Sequence, residues 1–241
     1  MNTFQNALVL TAALMLASAS VSPRLEAQGQ PAQTTWAFDS LERIGGLPVK
    51  VEGNPKVVDT PIGKAIEFDG VDDIIFIDKH PLAGAATYTF EAIVRPDGGA
   101  HEQRFFHLAE RDANGTLANT TGAKTEPNPR LLFELRGVEG NQWYLDAFAF
   151  GPGYSKGLMV PEKLHPYGQW YHVAQVFDGK LLKSYVNGSL QGEAEIAFKP
   201  HGEGGAAIGA RMNKVTFFKG AVARARFTSA ALPPSDFLKL K

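Results

Sequence analysis

The chain has 241 residues, of which 44% are hydrophobic, and this is enough to build one sizeable core in a single domain. Its 24 Lys and Arg residues and 25 Asp and Glu residues give a net charge of -1, which provides no long-range attraction to nucleic acid or to an anionic membrane. The absence of cysteine excludes disulfides, thiolate metal sites and a cysteine nucleophile.

Residues 1–27 are predicted to be a secretory signal peptide. Residues 7–19 are apolar but too few to span a bilayer, and small residues follow them. Cleavage after Ala19 and cleavage after Ala27 both satisfy the preference for small residues at the cut. We therefore expect a secreted or periplasmic protein with no membrane span in the mature chain.

The rest of the sequence predicts an all-β domain over residues 34–232, followed by a loosely packed tail over residues 233–241. Short runs of aromatic and β-branched residues alternate with Gly, Pro, Asn and Asp at a spacing of roughly ten residues, and no helical period persists. The predicted strands cover residues 49–51, 65–69, 74–77, 88–95, 104–109, 130–136, 142–150, 170–177, 181–186, 194–198, 206–209, 216–220 and 221–227. This pattern indicates a two-sheet antiparallel β-sandwich, or jelly roll.

Two segments between and within these strands are distinctive. Residues 110–129 form a long polar connection rich in Asn, Thr, Gly and Pro, and they are predicted to be a mobile flap. Residues 169–188 form a compact meander, in which Asp-Gly and Asn-Gly pairs predict two tight turns. Large apolar residues on both sides of its first strand predict a sheet that is covered on both faces, with Trp170 as a core anchor.

Four strands carry polar side chains on one side when alternate positions are read, while large apolar residues occupy the other side. The polar side holds Glu91, Arg95, His107, Glu134, Arg136, Tyr144 and Asp146. We predict that these residues form one groove. In it, arginines bind carboxylate or sulfate groups, carboxylates accept hydrogen bonds from sugar hydroxyls, and Tyr144 or Phe148 stacks on a pyranose ring. The alternative is a set of cross-strand salt bridges on a solvated sheet, which contribute little to stability.

The same face offers two enzymatic alternatives. A lyase that acts on a uronic-acid polymer needs a cation beside the carboxylate and a base near the sugar proton that it removes. Groups of these types are Arg95, Arg136, His107 and Tyr144. A glycosidase needs two carboxyl groups at the scissile bond, for which Glu91 and Glu134 are the candidates. The sequence contains neither the E-x-D-x-x-E run of related glucanases nor the motif set of alginate-type lyases.

Four aspartates near one turn supply hard oxygen ligands of the kind that calcium prefers, but without EF-hand spacing. They are Asp69, Asp72, Asp73 and Asp78. Aspartates also stabilise turns by accepting hydrogen bonds from nearby backbone, so we expect a turn cluster and no metal site, with a structural calcium ion as the alternative. The sequence implies no other cofactor.

Six short segments follow one another in a recognisable order. They are FDGVDD at residues 68–73, YTFEAIVRP at 88–96, WYHVAQVFDG at 170–179, YVNG at 185–188, AIGA at 207–210 and FKGAVARARF at 218–227. Their order resembles that in laminin-G-like jelly-roll domains of the concanavalin A-like superfamily. The resemblance implies two curved antiparallel sheets, with ligands on the concave face or at its rim. One departure is Ala223-Arg224, which stands where such domains often have an Asp-Glu pair.

Members of this superfamily include lectins, adhesion modules, glycosidases and polysaccharide lyases, so the fold alone leaves the function open. Together with the predicted signal peptide and the polar face, the resemblance favours a secreted, non-catalytic, lectin-like protein that binds extracellular polysaccharide or another glycan. The alternatives are a polysaccharide-degrading lyase or glycosidase and a structural or protein-binding adhesion module. Nucleic acid is not an expected partner.

Overall fold

The computed structural model of the protein describes Met1, residues 30–117 and residues 128–240. Residues Pro31–Lys241 form one compact unit. The predicted signal peptide, both of its cleavage sites and residues 118–127 of the predicted flap lie outside the described residues. Among the residues that are described, no helix is long and apolar enough to cross a membrane.

The described part of the chain consists of 17 β-strands and one 3-10 helical turn, so the prediction of an all-β fold is confirmed. The strands are β1 Gln33–Ala37, β2 Arg43–Ile44, β3 Leu47–Glu52, β4 Lys56–Thr60, β5 Gly63–Asp69, β6 Ile74–Ile77, β7 Tyr88–Pro96, β8 Glu102–Glu110, β9 Arg130–Val138, β10 Gln142–Gly151, β11 Tyr154–Met159, β12 His165–Pro166, β13 Tyr171–Phe177, β14 Leu181–Val186, β15 Ser189–Glu195, β16 Gly204–Ile208 and β17 Lys219–Thr228. The 3-10 turn spans Pro234–Asp236.

These strands form two antiparallel sheets. The first sheet has eight strands in the order β15-β14-β13-β7-β17-β5-β4, with β1 also paired to β17. The second sheet has nine strands in the order β11-β10-β9-β8-β16-β6-β3-β2, with β12 also paired to β10. The consecutive strands β7 and β8 belong to different sheets, so the chain crosses the sandwich between them.

A cluster of aromatic rings joins the two sheets. The ring of Phe90 in β7 lies 5.1 Å from that of Phe227 in β17, which belongs to the same sheet. Across the sandwich, the Phe90 ring lies 4.3 Å from Phe133 of β9 and 5.4 Å from Phe106 of β8. All four rings are buried in the main core. The apolar alternation that the sequence predicted for β7, β9 and β10 is therefore confirmed.

A β-bulge interrupts that alternation in β8. The register of β8 against β9 shifts between Arg104 and Phe106, so Phe105 is inserted without a partner. Phe105 and Phe106 both enter the core and are fully buried. Because the extra residue reverses the phase, Glu102 and Arg104 lie on the same outer face as His107 beyond the bulge.

The outer face of the first sheet is largely covered. Every residue of β13 is buried, as the apolar pattern of the meander predicted. Phe237 of the C-terminal tail is 4% exposed, and its ring lies 5.2 Å from that of His172. The prediction of loose packing is thus wrong for Phe237, because this part of the tail covers apolar surface that would otherwise face water.

Trp170 is not the core anchor that its context predicted. Its ring is half-buried on the outer face of the first sheet, 5.5 Å from the guanidinium of Arg95. The neighbouring Tyr171 enters the core, and alternation places Trp170 on the opposite side. Trp36 and Trp143 are the tryptophans that are fully buried between the sheets.

Replacing Phe90 by Ala removes a ring that contacts both sheets, so Phe90→Ala is expected to lower the free energy of unfolding by about 3–5 kcal/mol. Trp170→Ala is the matched aromatic truncation on the outer face. Trp170→Ala is expected to lower the free energy of unfolding by about half as much or less, because part of the Trp170 ring already faces water. Urea denaturation measures both losses. Equal losses would contradict the outer position of Trp170.

Two buried histidines and Tyr154 form a chain of hydrogen bonds. The Nδ1 atom of His80 accepts the backbone N–H of Leu82 at 3.2 Å, and its Nε2 atom lies 3.4 Å from Nδ1 of His201. The Nε2 atom of His201 lies 2.9 Å from the Tyr154 hydroxyl. Burial, reinforced by His201, lowers the pKa of His80 to about 3, and burial lowers the pKa of His201 to about 4. Both rings are therefore neutral at neutral pH.

Acid is expected to destabilise the protein through this pair. An unfolded chain protonates these histidines near their usual pKa of 6.5, whereas the folded chain keeps them neutral well below it. The free energy of unfolding should therefore fall between pH 6.5 and 5, by up to about 1.4 kcal/mol per pH unit for each histidine. The double variant His80→Gln/His201→Gln should flatten this slope in urea denaturation, and His101→Gln at an exposed position should not. An unchanged slope in the double variant would refute the assignment.

Candidate functional site

The predicted site residues are divided between the two sheets. Glu91 and Arg95 lie in β7 of the first sheet. The other five lie in β8, β9 and β10 of the second sheet; they are His107, Glu134, Arg136, Tyr144 and Asp146. The prediction of one shared groove is therefore wrong for Glu91 and Arg95, because the chain crosses the sandwich between β7 and β8.

Glu91 is a buried anchor for the C-terminal tail. Its carboxylate accepts hydrogen bonds from His172 Nε2 at 2.9 Å, Arg226 Nε at 2.6 Å and the backbone N–H of Leu238 at 2.7 Å. Burial alone would raise the pKa of Glu91, but these hydrogen bonds outweigh it and hold the pKa below its usual value. Because Glu91 and Glu134 lie on different sheets, the predicted glycosidase pair does not assemble.

Arg95 has acidic partners on its own sheet. Its guanidinium forms ion pairs with Asp97 at 2.8 Å and Glu67 at 2.9 Å. These two carboxylates raise its pKa, with the hydrogen bond to Asp97 as the largest cause. The predicted lyase groups are therefore divided as well, since Arg95 lies on the opposite side of the sandwich from Arg136.

His107 is buried and holds the loop that follows β16. Its side chain is fully buried, and Nδ1 accepts the backbone N–H of Met212 at 2.9 Å. Burial holds its pKa well below the usual value, and the nearby Arg130 and Arg211 lower it further. A side chain without exposed surface is poorly placed to take a proton from a polymer, so His107 has a positioning role in this geometry.

The remaining predicted residues belong to a network of five charged side chains on the outer face of the second sheet. Arg136 forms ion pairs with Glu102 at 2.8 Å, Glu134 at 2.9 Å and Asp146 at 2.6 Å. Arg104 pairs with Glu134 at 3.1 Å and also contacts Glu102. We call this set, Glu102, Arg104, Glu134, Arg136 and Asp146, the charge network. It resembles the predicted salt-bridge alternative, but most of it is buried.

The register of the strands explains why these side chains meet. Glu134 is the direct partner of both Arg104 in β8 and Asp146 in β10, and Arg136 faces both Glu102 and Tyr144 in the same way. Directly opposed residues in antiparallel strands point to the same face with Cβ atoms about 5 Å apart. Tyr144, which is 9% exposed, thus lies at the edge of the charge network.

An open depression of about 280 Å³ lies over part of this network. Charged residues surround a floor formed by Leu132 and Phe148, which are direct partners in β9 and β10. The full lining is Arg104, Arg130, Leu132, Glu134, Arg136, Asp146, Phe148, Gly157, Met159 and Arg211. Phe148, which the sequence indicated as a stacking ring, is half-buried. Met159 is 52% exposed and stands at the end of β11.

Sequence reasoning missed four charged residues of this surface. Arg130 could have been found from the sequence, because alternate residues of a strand share a face and Arg130 lies four residues before Glu134 in β9. Glu102 and Arg104 were hidden by the bulge, since strict alternation from His107 assigns Arg104 to the core side. Arg211 lies on a loop that only the tertiary structure brings to the depression.

One carboxylate oxygen of the charge network is buried beside the depression without a hydrogen bond from the described residues. Asp146 is 2% exposed, its Oδ2 atom pairs with Arg136, and no donor among the described residues reaches its Oδ1 atom. A Cβ atom placed on Gly157 would lie 3.0 Å from this Oδ1 and 3.7 Å from the Phe148 ring. A side chain at residue 157 would therefore press on this buried acceptor, which no donor among the described residues reaches.

The surroundings of Glu134 favour its protonated form. Its pKa is raised to about 7. Burial is the largest cause and Asp146 also raises the pKa, whereas Arg104 and Arg136 lower it. Repulsion from Asp146 and Glu102 adds to the effect of burial, because the network contains three carboxylates and two arginines.

The predicted acidic turn is present on another part of the surface. Carboxylate oxygens of Asp69, Asp72 and Asp73 lie within 4.8 Å of one another, whereas Asp78 pairs with Arg111. Asp73 accepts the backbone N–H of Asp69 at 2.9 Å, and Asp69 accepts that of Val71 at 2.7 Å. These bonds are those of a turn cluster, and a structural calcium ion stays an untested alternative.

The family of the chain follows from a match over most of the folded unit. A family model described as the Concanavalin A-like lectin/glucanases superfamily, of the laminin G type, matches residues 69–236. The chain belongs to this superfamily. The resemblance that the six sequence segments carried is therefore confirmed, as is the two-sheet sandwich that it implied.

Solved structures support the same fold. Domain 4 of AbnA, a GH43 extracellular arabinanase from Geobacillus stearothermophilus in complex with arabinotriose, is 22% identical, with a TM-score of 0.60 over 86% of this chain and 96% of that chain. The binding domain of Paraclostridial Mosquitocidal Protein 1 is 13% identical, with a TM-score of 0.56 over 86% of this chain and 50% of that chain.

A more distant likeness is to a Trypanosoma rangeli sialidase in complex with sialic acid. It is 13% identical, with a TM-score of 0.55 over 84% of this chain and 31% of that chain. The chain therefore spans half or less of the mosquitocidal binding domain and the sialidase. No curated protein matches the chain.

Replacing Glu134 by Gln tests the proton on the charge network. A carboxyl with a folded pKa above its unfolded value of 4.5 loses stability as the pH rises from about 4.5 to 7, because the folded state binds more protons. The free energy of unfolding of Glu134→Gln relative to wild type should therefore rise by about 1 kcal/mol or more from pH 5 to pH 8. Urea denaturation at both pH values measures this, with the exposed Glu203→Gln as control. A difference that stays the same or falls would show that the pKa of Glu134 is not raised in the folded state.

Proposed function

We propose that the protein is a secreted, non-catalytic, lectin-like protein that binds extracellular glycan in the depression on the second sheet. The observation that carries this proposal is the open depression of about 280 Å³, in which the half-buried ring of Phe148 lies next to the opposed carboxyl groups of Glu134 and Asp146. A sugar unit presents both complements, since its hydroxyls donate hydrogen bonds and its C–H face packs on aromatic rings.

The charge network prepares this surface for a polar ligand. Arg136 is held by three carboxylates, so its guanidinium and the Asp146 carboxylate have fixed orientations before a ligand arrives. Groups that are already ordered lose little conformational entropy on binding, and this favours affinity for a flexible polymer. Phe148 and Leu132 supply the apolar floor between these polar groups.

Proteins of similar fold support the choice of glycan as ligand. The arabinanase domain was solved with arabinotriose and the sialidase with sialic acid, so this sandwich occurs in proteins that hold saccharides. Likeness at these identities concerns the fold, and the proposal for this chain depends on its own depression. The apolar segment at residues 7–19 supports export as part of the proposal.

Binding is proposed to be independent of calcium. None of the clustered aspartates is among the residues that line the depression. Titrations in EDTA and in millimolar calcium should therefore agree.

Two substitutions test the depression directly. Phe148→Ala removes the stacking ring, and Gly157→Ala places a methyl group over Asp146 Oδ1 without changing any charge. Each is expected to weaken binding of a responsive oligosaccharide by about tenfold or more in isothermal titration. Phe76→Ala is the matched control, because Phe76 is also half-buried on the outer face but lies four strands from Phe148, about 19 Å away.

The ligand for these titrations is first found by testing the protein against neutral and acidic polysaccharides. Absence of binding to every member would contradict the proposal and favour a structural or protein-binding adhesion module. Binding that is unchanged in both Phe148→Ala and Gly157→Ala would place the glycan elsewhere.

A polysaccharide-degrading enzyme is the second candidate, because one observation favours it. Glu134 has a pKa raised to about 7 and lies directly opposite Asp146, and a carboxyl group with a raised pKa beside a second carboxyl group suits acid–base chemistry. Incubation of the protein with the polysaccharides that it binds, followed by chromatography of the products, distinguishes the candidates. Chain shortening that is abolished in Glu134→Gln would establish the enzyme and overturn the non-catalytic proposal.

A further inference from the structure

We propose that the outer face of the first sheet carries a groove for an extended peptide in which an aromatic residue precedes a leucine. Residues 231–240, which we call the strap, occupy this groove in cis and can be replaced by such a peptide. The inference is independent of the proposed glycan site, which lies on the second sheet.

Side chains of the first sheet hold the strap by its backbone. The backbone N–H of Leu238 donates a hydrogen bond to Glu91 Oε1 at 2.7 Å, and the carbonyl oxygen of Asp236 accepts one from Arg226 Nη2 at 2.6 Å. Every peptide carries such N–H and C=O groups. These two contacts therefore recognise an extended backbone and do not depend on which residues the peptide carries there.

Contacts within the sheet keep these two side chains in place. Glu91 also accepts hydrogen bonds from Arg226 Nε at 2.6 Å and from His172 Nε2 at 2.9 Å. The first contact joins β7 to β17 and the second joins β7 to β13, so neither of them involves the strap. The groove is therefore preformed, and a peptide that enters it has few groups of the protein to order.

One aromatic side chain anchors the strap. Phe237 is 4% exposed, whereas every other residue of the strap is exposed or half-buried. Its ring lies 5.2 Å from the His172 ring and 5.3 Å from the Tyr185 ring, in one apolar cluster with Ala174. The next residue, Leu238, packs against a neighbouring apolar cluster of the same sheet. The groove therefore suits an aromatic residue followed by a leucine.

The strap does not fill the groove. An open depression of about 210 Å³ lies beside the anchor, and it is bordered by His172, Asn187 and Gly188 on the sheet and by Phe237 and Leu240 on the strap. Few buried apolar residues and unfilled space are features of segments that open locally while the rest of a protein stays folded. The strap is therefore suited to leave the groove without unfolding of the sandwich.

The probe for this groove is a fluorescent peptide of residues 231–240 with blocked ends, titrated into the full chain by anisotropy. Phe237→Ala in the chain removes the anchor of the strap and leaves the sheet unchanged. The peptide is therefore expected to bind the Phe237→Ala chain about tenfold or more tighter than wild type, because occupation in cis reduces the apparent affinity. The same peptide carrying Phe237→Ala should bind this variant about tenfold or more weakly.

Two matched variants locate the effect. Leu240→Ala is an apolar truncation within the strap at a residue that is 38% exposed, so this chain should bind the peptide as wild type does. Tyr185→Ala removes one wall of the aromatic pocket. Added to Phe237→Ala, it should weaken peptide binding about fivefold or more relative to Phe237→Ala alone.

Hydrogen exchange of the wild type tests the strap without any variant. The backbone N–H of Leu238 is expected to exchange about tenfold or more faster than the N–H groups of β13, which bond within the sheet on both sides. Equal rates would show that the strap opens only when the whole protein unfolds, and they would overturn a replaceable strap. This measurement also decides the matter if thermal melts show that Phe237→Ala does not fold.

Other outcomes would overturn the inference at separate points. Absence of peptide binding to the Phe237→Ala chain, or equal affinity for this chain and wild type, would contradict a groove that the strap occupies. An affinity that does not depend on the aromatic ring of the peptide would contradict the pocket. A wild-type dimer that excess peptide dissociates would show the strap of a second copy in the groove and would overturn occupation in cis. Each result leaves the glycan proposal unaffected, since that proposal concerns the second sheet.

Discussion

The bulge in β8 is the constraint on which both the core and the candidate site depend. It allows the adjacent residues Phe105 and Phe106 to enter the core from one strand, where Phe106 meets Phe90 of the first sheet and Phe105 meets Phe133 of the second. The same extra residue turns Arg104 outward, where it pairs with Glu134. Without this phase change, a guanidinium would face the core and an aromatic ring would face water, and both positions are costly.

Two clusters of buried charge lie on opposite outer faces of the sandwich, and they differ in what covers them. On the first sheet, the tail closes over Glu91, and the backbone N–H of Leu238 is one of its hydrogen-bond donors. On the second sheet, the charge network lies partly beneath an open depression, and Asp146 retains an acceptor that no described residue uses. The first cluster is closed by the tail, whereas the second has charged side chains at the border of an open depression.

Much of the architecture could be predicted from the sequence because strands have a simple period. Alternation in β9 and β10 correctly placed Glu134, Arg136 and Asp146 on one face, and cross-strand register did bring them together. The two-sided burial of β13 followed from apolar residues on both of its sides. The apolar pattern did not place Trp170 correctly. Both sides of β13 carry apolar residues, so the pattern does not show which side faces the core.

The sequence by itself determined the strand-rich fold, the alternation that builds the core and the superfamily, because these depend on local preference and on the order of short segments. It did not determine which polar residues share a surface. That was decided by the crossing between β7 and β8, which separates Arg95 from Arg136, and by the loop that brings Arg211 to the depression. The physical reason is that period 2 assigns each side chain to one of two faces within a strand, whereas the assignment of strands to sheets depends on long-range pairing.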